Sequence, residues 1–273
     1  MLTAIRTLQR RYRYSAILLR QLVKTDFKLR YQASVLGYVW SLLRPLLLFL
    51  ILYLVFTVFL PVGKGVPNYP VYLLLGIVLW NYFGEVTGGS VRAIVDKGDL
   101  IRKINFPKYN IIVAVALSAL INLVLNFVVI AIFMALGHVP FTWHAFLLLP
   151  LLIELFLIAI ALAFLLSALF VKFRDVSYIW EVLMQAGFYA TPIIYPLSRI
   201  KYHRVREVLL LNPVAQIIQD ARWLLVTHQT ITIDQEFGGD KWIWLIPISL
   251  TCMLVLFGGW YFRDRSKHFA EDV

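Results

Sequence analysis

The chain has 273 residues, 61% of them hydrophobic and 15% charged, with a mean hydropathy of +0.78. Soluble domains are about half apolar and about a quarter charged, so an ordinary soluble fold is excluded and an all-α polytopic membrane protein is expected. A net charge of +11 would suit nucleic acid, but its placement suits anionic lipid better: Arg6, Arg10, Arg11, Arg13, Arg20, Lys24, Lys28 and Arg30 all precede the first apolar run, opposed there by Asp26 alone.

No cleavable leader is expected, because Met1 to Arg13 has no apolar core followed by a small-residue cleavage site. Residues 15–35 then carry Leu18, Leu19, Leu22 and Leu29 on one helical face and Arg20, Lys24 and Lys28 on the other. That pattern predicts an amphipathic helix lying in the membrane interface, with Asp26 as the one misfit on the apolar side. An arm touching a cytoplasmic partner fits the same pattern.

A first span is expected over 38–60, with Arg44-Pro45 near its inner end, where Arg44 is close enough to the interface to snorkel. The loop 61–70 follows. A second span, 71–91, carries Glu85 and the spacing Gly84-x-x-x-Gly88, which allows close helix approach. The hydrophilic break from Asp96 to Lys108 comes next. Asp96 and Asp99 can sit near the start of a short helix, Leu100, Ile101 and Ile104 share a face, and Pro107 ends it. Spacing alone fits both a solvated loop and a short docking helix.

A third span, 111–136, includes Asn122 and Asn126. A fourth, 145–171, includes Glu154 and ends at the turn Lys172-Phe-Arg174-Asp175. A fifth begins near Val176, carries Glu181, and must break at Thr191-Pro192-Ile-Ile-Tyr195-Pro196, because two prolines so close cannot both sit in an undisturbed helix. Asn212-Pro213 is a helix start, N-cap then first position, and opens a short helix expected to re-enter the outer leaflet as a gate segment. A sixth span, 242–262, leads to the tail 263–273. The tail before the first span, the break, the 172–175 turn and the final tail hold most of the Lys and Arg, which predicts both termini inside.

Glu85, Glu154 and Glu181 are costly at membrane depth, about 3 kcal/mol each if ionised. They could line a polar route, pair with Arg44 or Arg92, or sit protonated between helices. A proton-coupled secondary transporter would use such acids. Catalysis has little support: the histidines are scattered without metal-ligand spacing, no nucleophile elbow occurs, and an intramembrane glycosyltransferase is the weakest class. The single Cys252 allows no disulfide within the chain. Gly63-Lys64 lacks the rest of a Walker A sequence, so ATP-driven transport would need the ATPase on a separate chain, and the break at 96–108 becomes the best docking candidate. Aromatics cluster at span ends (Tyr38/Trp40, Trp80/Tyr82/Phe83, Trp242/Trp244), as interfacial belts do, and a pore-facing subset could stack on sugar rings.

Five ordered stretches resemble one family. Arg30 to Pro45 is similar to the entry signature of type-2 ABC export permeases, and Leu100 to Pro107 resembles the coupling element of their polysaccharide-exporting branch. Phe173-Arg174-Asp175-Val176, Thr191 to Pro196 and Leu211-Asn212-Pro213 match the second half in order and spacing. The resemblance implies a six-span permease domain over 38–262, flanked by the basic segment 1–37 and the tail 263–273. It would be a homodimer in the inner membrane, binding two copies of a separate ATPase that holds ATP and Mg, with no cofactor on this chain. By the same resemblance Asp96, Asp99, Leu100, Ile101, Arg102, Lys103, Ile104, Phe106 and Pro107, with Arg174 and Asp175, would meet the ATPase. The cargo would be a glycan on a polyprenyl-pyrophosphate lipid, as in export of O-antigen, capsule or teichoic acid. Arg30 and Arg44 would receive the pyrophosphate, and Pro192, Tyr195, Pro196, Asn212 and Pro213 would belong to the outer gate. Drug or lipid efflux by a permease of the same fold is the nearest alternative.

Overall fold

A computed structural model describes residues 16–26, 37, 39–60, 62–104, 106–140 and 142–272. Arg30 and the first part of the entry signature lie outside them, as do residues 27–35 of the expected interface helix. Among the described residues all regular structure is helical, with no strand.

Helix α1 covers residues 16–26, with Leu22 buried against the bundle. Among the described residues five segments are long and apolar enough to cross a membrane: Val39–Phe59, Tyr69–Val91, Tyr109–Leu136, Trp143–Lys172 and Trp242–Arg265. Their α-helical parts are α2 (Val39–Leu54, continued by a π-turn to Phe59), α3 (Tyr69–Val91), α6 (Tyr109–Leu136), α7 (Leu148–Lys172) and α12 (Leu245–Arg265). These match five of the expected spans to within a few residues at each end.

The remaining one, α8 (Val176–Ala190), has 15 residues, about 22 Å at 1.5 Å per residue, which is short of a full crossing. The reason lies in its C-terminal end. Thr191, next before Pro192, is already extended (φ −78°, ψ 139°), the conformation that a following proline favours.

The bundle is built around α3. In its most apolar window 78% of residues are buried, against 11% for α2 and 17% for α12. Helix α3 is therefore apolar all round because it is surrounded, whereas α2 and α12 keep large apolar faces open. α3 packs on α6 and α7, and α7 packs most extensively on α12. The last pair meets at Gly258, where a Cβ would overlap the carbonyl of Ala161. Small residues that let backbones touch are the usual device for helix contact in lipid.

Of the Gly84/Gly88 pair, only Gly84 faces a neighbour: a Cβ there would meet Met184 of α8 at 3.0 Å, while Gly88 faces open space. The α3–α8 contact instead uses Gly84 together with Gly187, whose Cβ would press on the Trp80 ring at 2.8 Å. Trp180 Nε1 donates to Thr87 Oγ1 at 3.2 Å across the same contact.

Short helices close the two ends of the bundle. At one end lie α4 (Ala93–Asp96), α5 (Gly98–Lys103) and α13 (Phe269–Asp272); α13 packs on α5, and Phe269 is buried against Phe262. Towards the other end lie α9 (His203–Leu210), α10 (Pro213–Leu225) and α11 (Ile233–Glu236). Helix α10 begins as the sequence predicts: Asn212 is its N-cap, accepting from the Val214 amide at 3.0 Å, and Pro213 occupies the first turn.

Candidate functional site

Three features of the structure concern function: a surface at the α5 end, a groove along the bundle, and a locked segment at the α10 end.

The α5 end brings together four parts of the chain. Lys97, the residue before α5, is ion-paired with Asp26 of α1 at 2.6 Å, which explains why an acid stands on the apolar side of α1. Lys108 donates to the Ser266 carbonyl at 2.7 Å, tying the exit of the break to the tail after α12. Arg92 donates to Ser177 Oγ at 3.3 Å, and Arg92 and Arg174 both lie over the Phe170 ring, at 5.8 and 5.1 Å.

On this scaffold α5 turns one side inward. Ile101 and Phe106 are buried and Leu100 is half-covered, whereas Asp96, Asp99, Arg102, Lys103 and Ile104 are exposed, as are Arg174 and Asp175 of the neighbouring turn; Pro107 is intermediate. The break is therefore a short, packed helix with a charged outer face. Neither acid caps α5 with its side chain, and Lys97 is the residue at the N-cap position.

The groove, of about 940 Å³, runs between α2, α3, α6 and α8. Arg44, Trp40 and Ser41 line it from α2, Trp80, Tyr82 and Glu85 from α3, and Asn122 and Asn126 from α6. Asn122 Nδ2 donates to Glu85 Oε1 at 2.7 Å, and Asn126 Nδ2 donates to the Asn122 carbonyl at 2.8 Å. This hydrogen-bonded chain explains how an acid persists at that depth. The Tyr82 hydroxyl and Asn122 Oδ1 are buried without a partner among the described residues, so the groove keeps one donor and one acceptor for a ligand. Aromatic faces, an arginine and amide groups together suit an amphipathic, sugar-containing molecule carrying negative charge.

Sequence reasoning named Arg44 and Glu85 separately, and the structure places both in this groove. Glu154 is elsewhere, beside α12, where its Oε1 accepts from Thr251 Oγ1 at 3.4 Å. Glu181 is exposed on α8.

At the α10 end the break after α8 is held by a residue that no sequence motif singles out. Arg222 of α10 is fully buried. Its guanidinium donates to the carbonyls of Pro192 at 2.5 Å, Ile193 at 2.6 Å and Tyr72 at 3.0 Å, and to Gln219 Oε1 at 2.9 Å. It lies 3.6 Å from the centroid of the Tyr72 ring. Helix-free backbone at 191–196 would otherwise leave buried carbonyls unsatisfied. The fork geometry of arginine serves several such acceptors at once. Gly76 makes the room, since a Cβ there would overlap the guanidinium.

Pro192, Pro196 and Pro213 are all buried and Tyr195 is half-buried, donating to the Tyr189 and Ala190 carbonyls at 3.2 Å; Asn212 is exposed. Of the expected gate residues, all but Asn212 are thus buried or half-buried.

Residues 17–226 match the model of a family described as ABC-2 type transporter. The O-antigen export system permease protein RfbA of Myxococcus xanthus is 31% identical over 271 residues, covering 98% of this chain and 100% of that protein. Two proteins of the same name from Klebsiella pneumoniae are each 28% identical, one over 81% of this chain and 83% of its own length, the other over 77% and 80%.

Proposed function

Since the chain belongs to the ABC-2 type transporter family, we propose that it is the transmembrane subunit of an ATP-driven exporter carrying a polyprenyl-pyrophosphate-linked polysaccharide across the cytoplasmic membrane. The names of the relatives support the cargo class: each is an O-antigen export permease. The observation that carries the reading is the groove, where Arg44 and the aromatic faces of Trp40 and Trp80 stand together with unpartnered polar groups on Tyr82 and Asn122.

In this reading the α5 end is cytoplasmic, as are both termini, and helix α8 with the break after it makes a sixth crossing. Helix α10 re-enters the outer leaflet, and Arg222 keeps that outer segment rigid. Two copies assemble through the open apolar faces of α2 and α8, which places the groove along the path between them. The pyrophosphate enters at Arg44, with Arg30 nearby in sequence as a second cation, and the sugars stack on the aromatic rings. ATP and Mg are bound by a separate ATPase, two copies per exporter. That ATPase docks on the exposed face of residues 96–107 and the 172–175 turn, so its closure moves α5, which is packed on the bundle through Ile101. The permease itself performs no chemistry.

The test is reconstitution of the permease with the ATPase encoded beside it, followed by ATP hydrolysis with and without a polyprenyl-pyrophosphate glycan. Stimulation that Arg44→Ala and Trp40→Ala weaken is expected. Stimulation by apolar drugs but not by the glycan would point to efflux instead, and transport that stops when the proton gradient collapses with ATP still present would point to a secondary carrier.

A further inference from the structure

A second cavity, of about 630 Å³, lies between α7, α10 and α12 and shares no residue with the groove. Its volume falls within the range of about 300–1,000 Å³ typical of small-molecule sites. Its walls are largely apolar, and its opening is on the bundle's outside: Ile153 of α7 and Ile248 of α12 line it while remaining 53% and 43% exposed. The same faces carry Leu149, Met253 and Leu256, all well exposed, so the opening meets lipid chains.

The other end of the cavity is acidic. Asp220 is only 3% exposed; its Oδ2 accepts from Gln216 Nε2, but its Oδ1 has no partner. Glu154 lines the cavity with only the long bond from Thr251, and Asp234 accepts from Thr232 Oγ1 at 2.6 Å. Among the described residues no Lys, Arg or His lines it. A buried carboxyl oxygen without a donor is costly, and three acids with no counter-charge among the described residues suit a cationic donor. The opening onto lipid calls for an acyl chain. Trp223 Nε1, also without an acceptor, lines the same cavity and offers a donor to a phosphate or ester oxygen.

We propose that this cavity binds a bilayer phospholipid with a primary ammonium headgroup, of the phosphatidylethanolamine kind. Its ammonium sits between Asp220 and Glu154, and one acyl chain lies along Leu157 and Ile248. A primary ammonium has N–H donors to give both carboxylates, whereas a choline has none and a glycerol headgroup brings no positive charge. The lipid so placed bridges α7, α10 and α12.

Cys252 lines this cavity and is the chain's single cysteine, which makes it a probe of occupancy. The full-length protein is placed in nanodiscs of palmitoyl-oleoyl phosphatidylglycerol, alone or mixed with the ethanolamine or choline lipid of the same chains, and labelling of Cys252 by N-ethylmaleimide is timed. The ethanolamine lipid is expected to slow labelling about tenfold, the preference that one hydrogen bond to a charged group supplies. The choline lipid is expected to leave the rate unchanged, and Glu154→Gln/Asp220→Asn to abolish the protection. Cys252→Ser combined with Met253→Cys puts the probe just outside the cavity, where all three bilayers are expected to give one rate. Equal rates at Cys252 in all bilayers, protection that survives the double substitution, or equal slowing at position 253 would each overturn the proposal. Should Asp220→Asn prevent folding, Glu154→Gln alone is expected to weaken the protection, and full protection there would overturn it.

Discussion

Lys97 Nζ and Asp26 Oδ1 lie 2.6 Å apart, with both side chains about four-fifths covered, and this pair fastens α1 to the residue that opens α5. A partly exposed ion pair of this kind contributes about 1 kcal/mol, enough to bias where α1 rests without being needed for folding. Asp26→Lys or Lys97→Asp alone is expected to leave membrane insertion intact and to lower the coupling of ATP hydrolysis to transport. The exchange of both is expected to restore it. A double exchange no better than the single substitutions, measured in reconstituted vesicles, would show that the contact carries nothing.

Arg222 holds the carbonyls of Pro192 and Ile193, and losing its donors leaves two buried acceptors unpaired, at about 1–3 kcal/mol each. Removing the guanidinium also removes the cost of burying a charge with no carboxylate beside it, so Arg222→Met is expected to lose only about 2 kcal/mol net. Arg222→Lys is expected to be worse than Met, because a compact, strongly hydrated ammonium cannot reach the same acceptors. Thermal unfolding in detergent reads the order Arg, Met, Lys; a lysine variant as stable as the parent would contradict the fork.

Gly258 and Gly259 are adjacent but differ in what they meet. A Cβ at Gly258 overlaps the Ala161 carbonyl, and one at Gly259 meets nothing within 4 Å. Gly258→Ala is expected to force α7 and α12 apart at a cost of about 1–3 kcal/mol. Gly259→Ala is expected to be neutral or to stabilise by up to about 1 kcal/mol through helix propensity. Melting temperatures that move together would mean that the crossing is looser than described.

How far the sequence carried can be judged from these residues. Span positions were legible because long apolar runs leave little freedom, and the start of α10 was legible because Asn212-Pro213 is a local signal, independent of tertiary packing. The use of Gly84 and Gly187 at the α3–α8 contact was not: the G-x-x-x-G spacing pointed to Gly88, but which small residue meets a neighbour depends on the crossing angle. Asp26 read as a misfit because its partner is 71 positions away. The role of Arg222 was not legible, because nothing local reveals that the break at 191–196 presents carbonyls to it. Glu85 was legible as an acid at membrane depth and Arg44 as a cation near the interface, but the groove that unites them is a product of packing.

The structure also decides which residues can test docking. Leu100, Ile101 and Ile104 share a helical face in the sequence pattern, yet Ile101 is 5% exposed and packs into the bundle, while Ile104 is 36% exposed. A charge at Ile101 would unsettle α5 itself and say little about a partner. The outward face is Arg102, Lys103 and Ile104.

The central claim is that this face passes the work of a separate ATPase to the permease. Its most direct test is reconstitution of the permease carrying Arg102→Glu, Lys103→Glu and Ile104→Asp with the ATPase encoded beside it, measuring ATP hydrolysis and glycan export in the same vesicles. The account predicts a permease that inserts and melts like the parent but neither retains the ATPase nor exports glycan. Export and ATPase retention at the parent's level would contradict it.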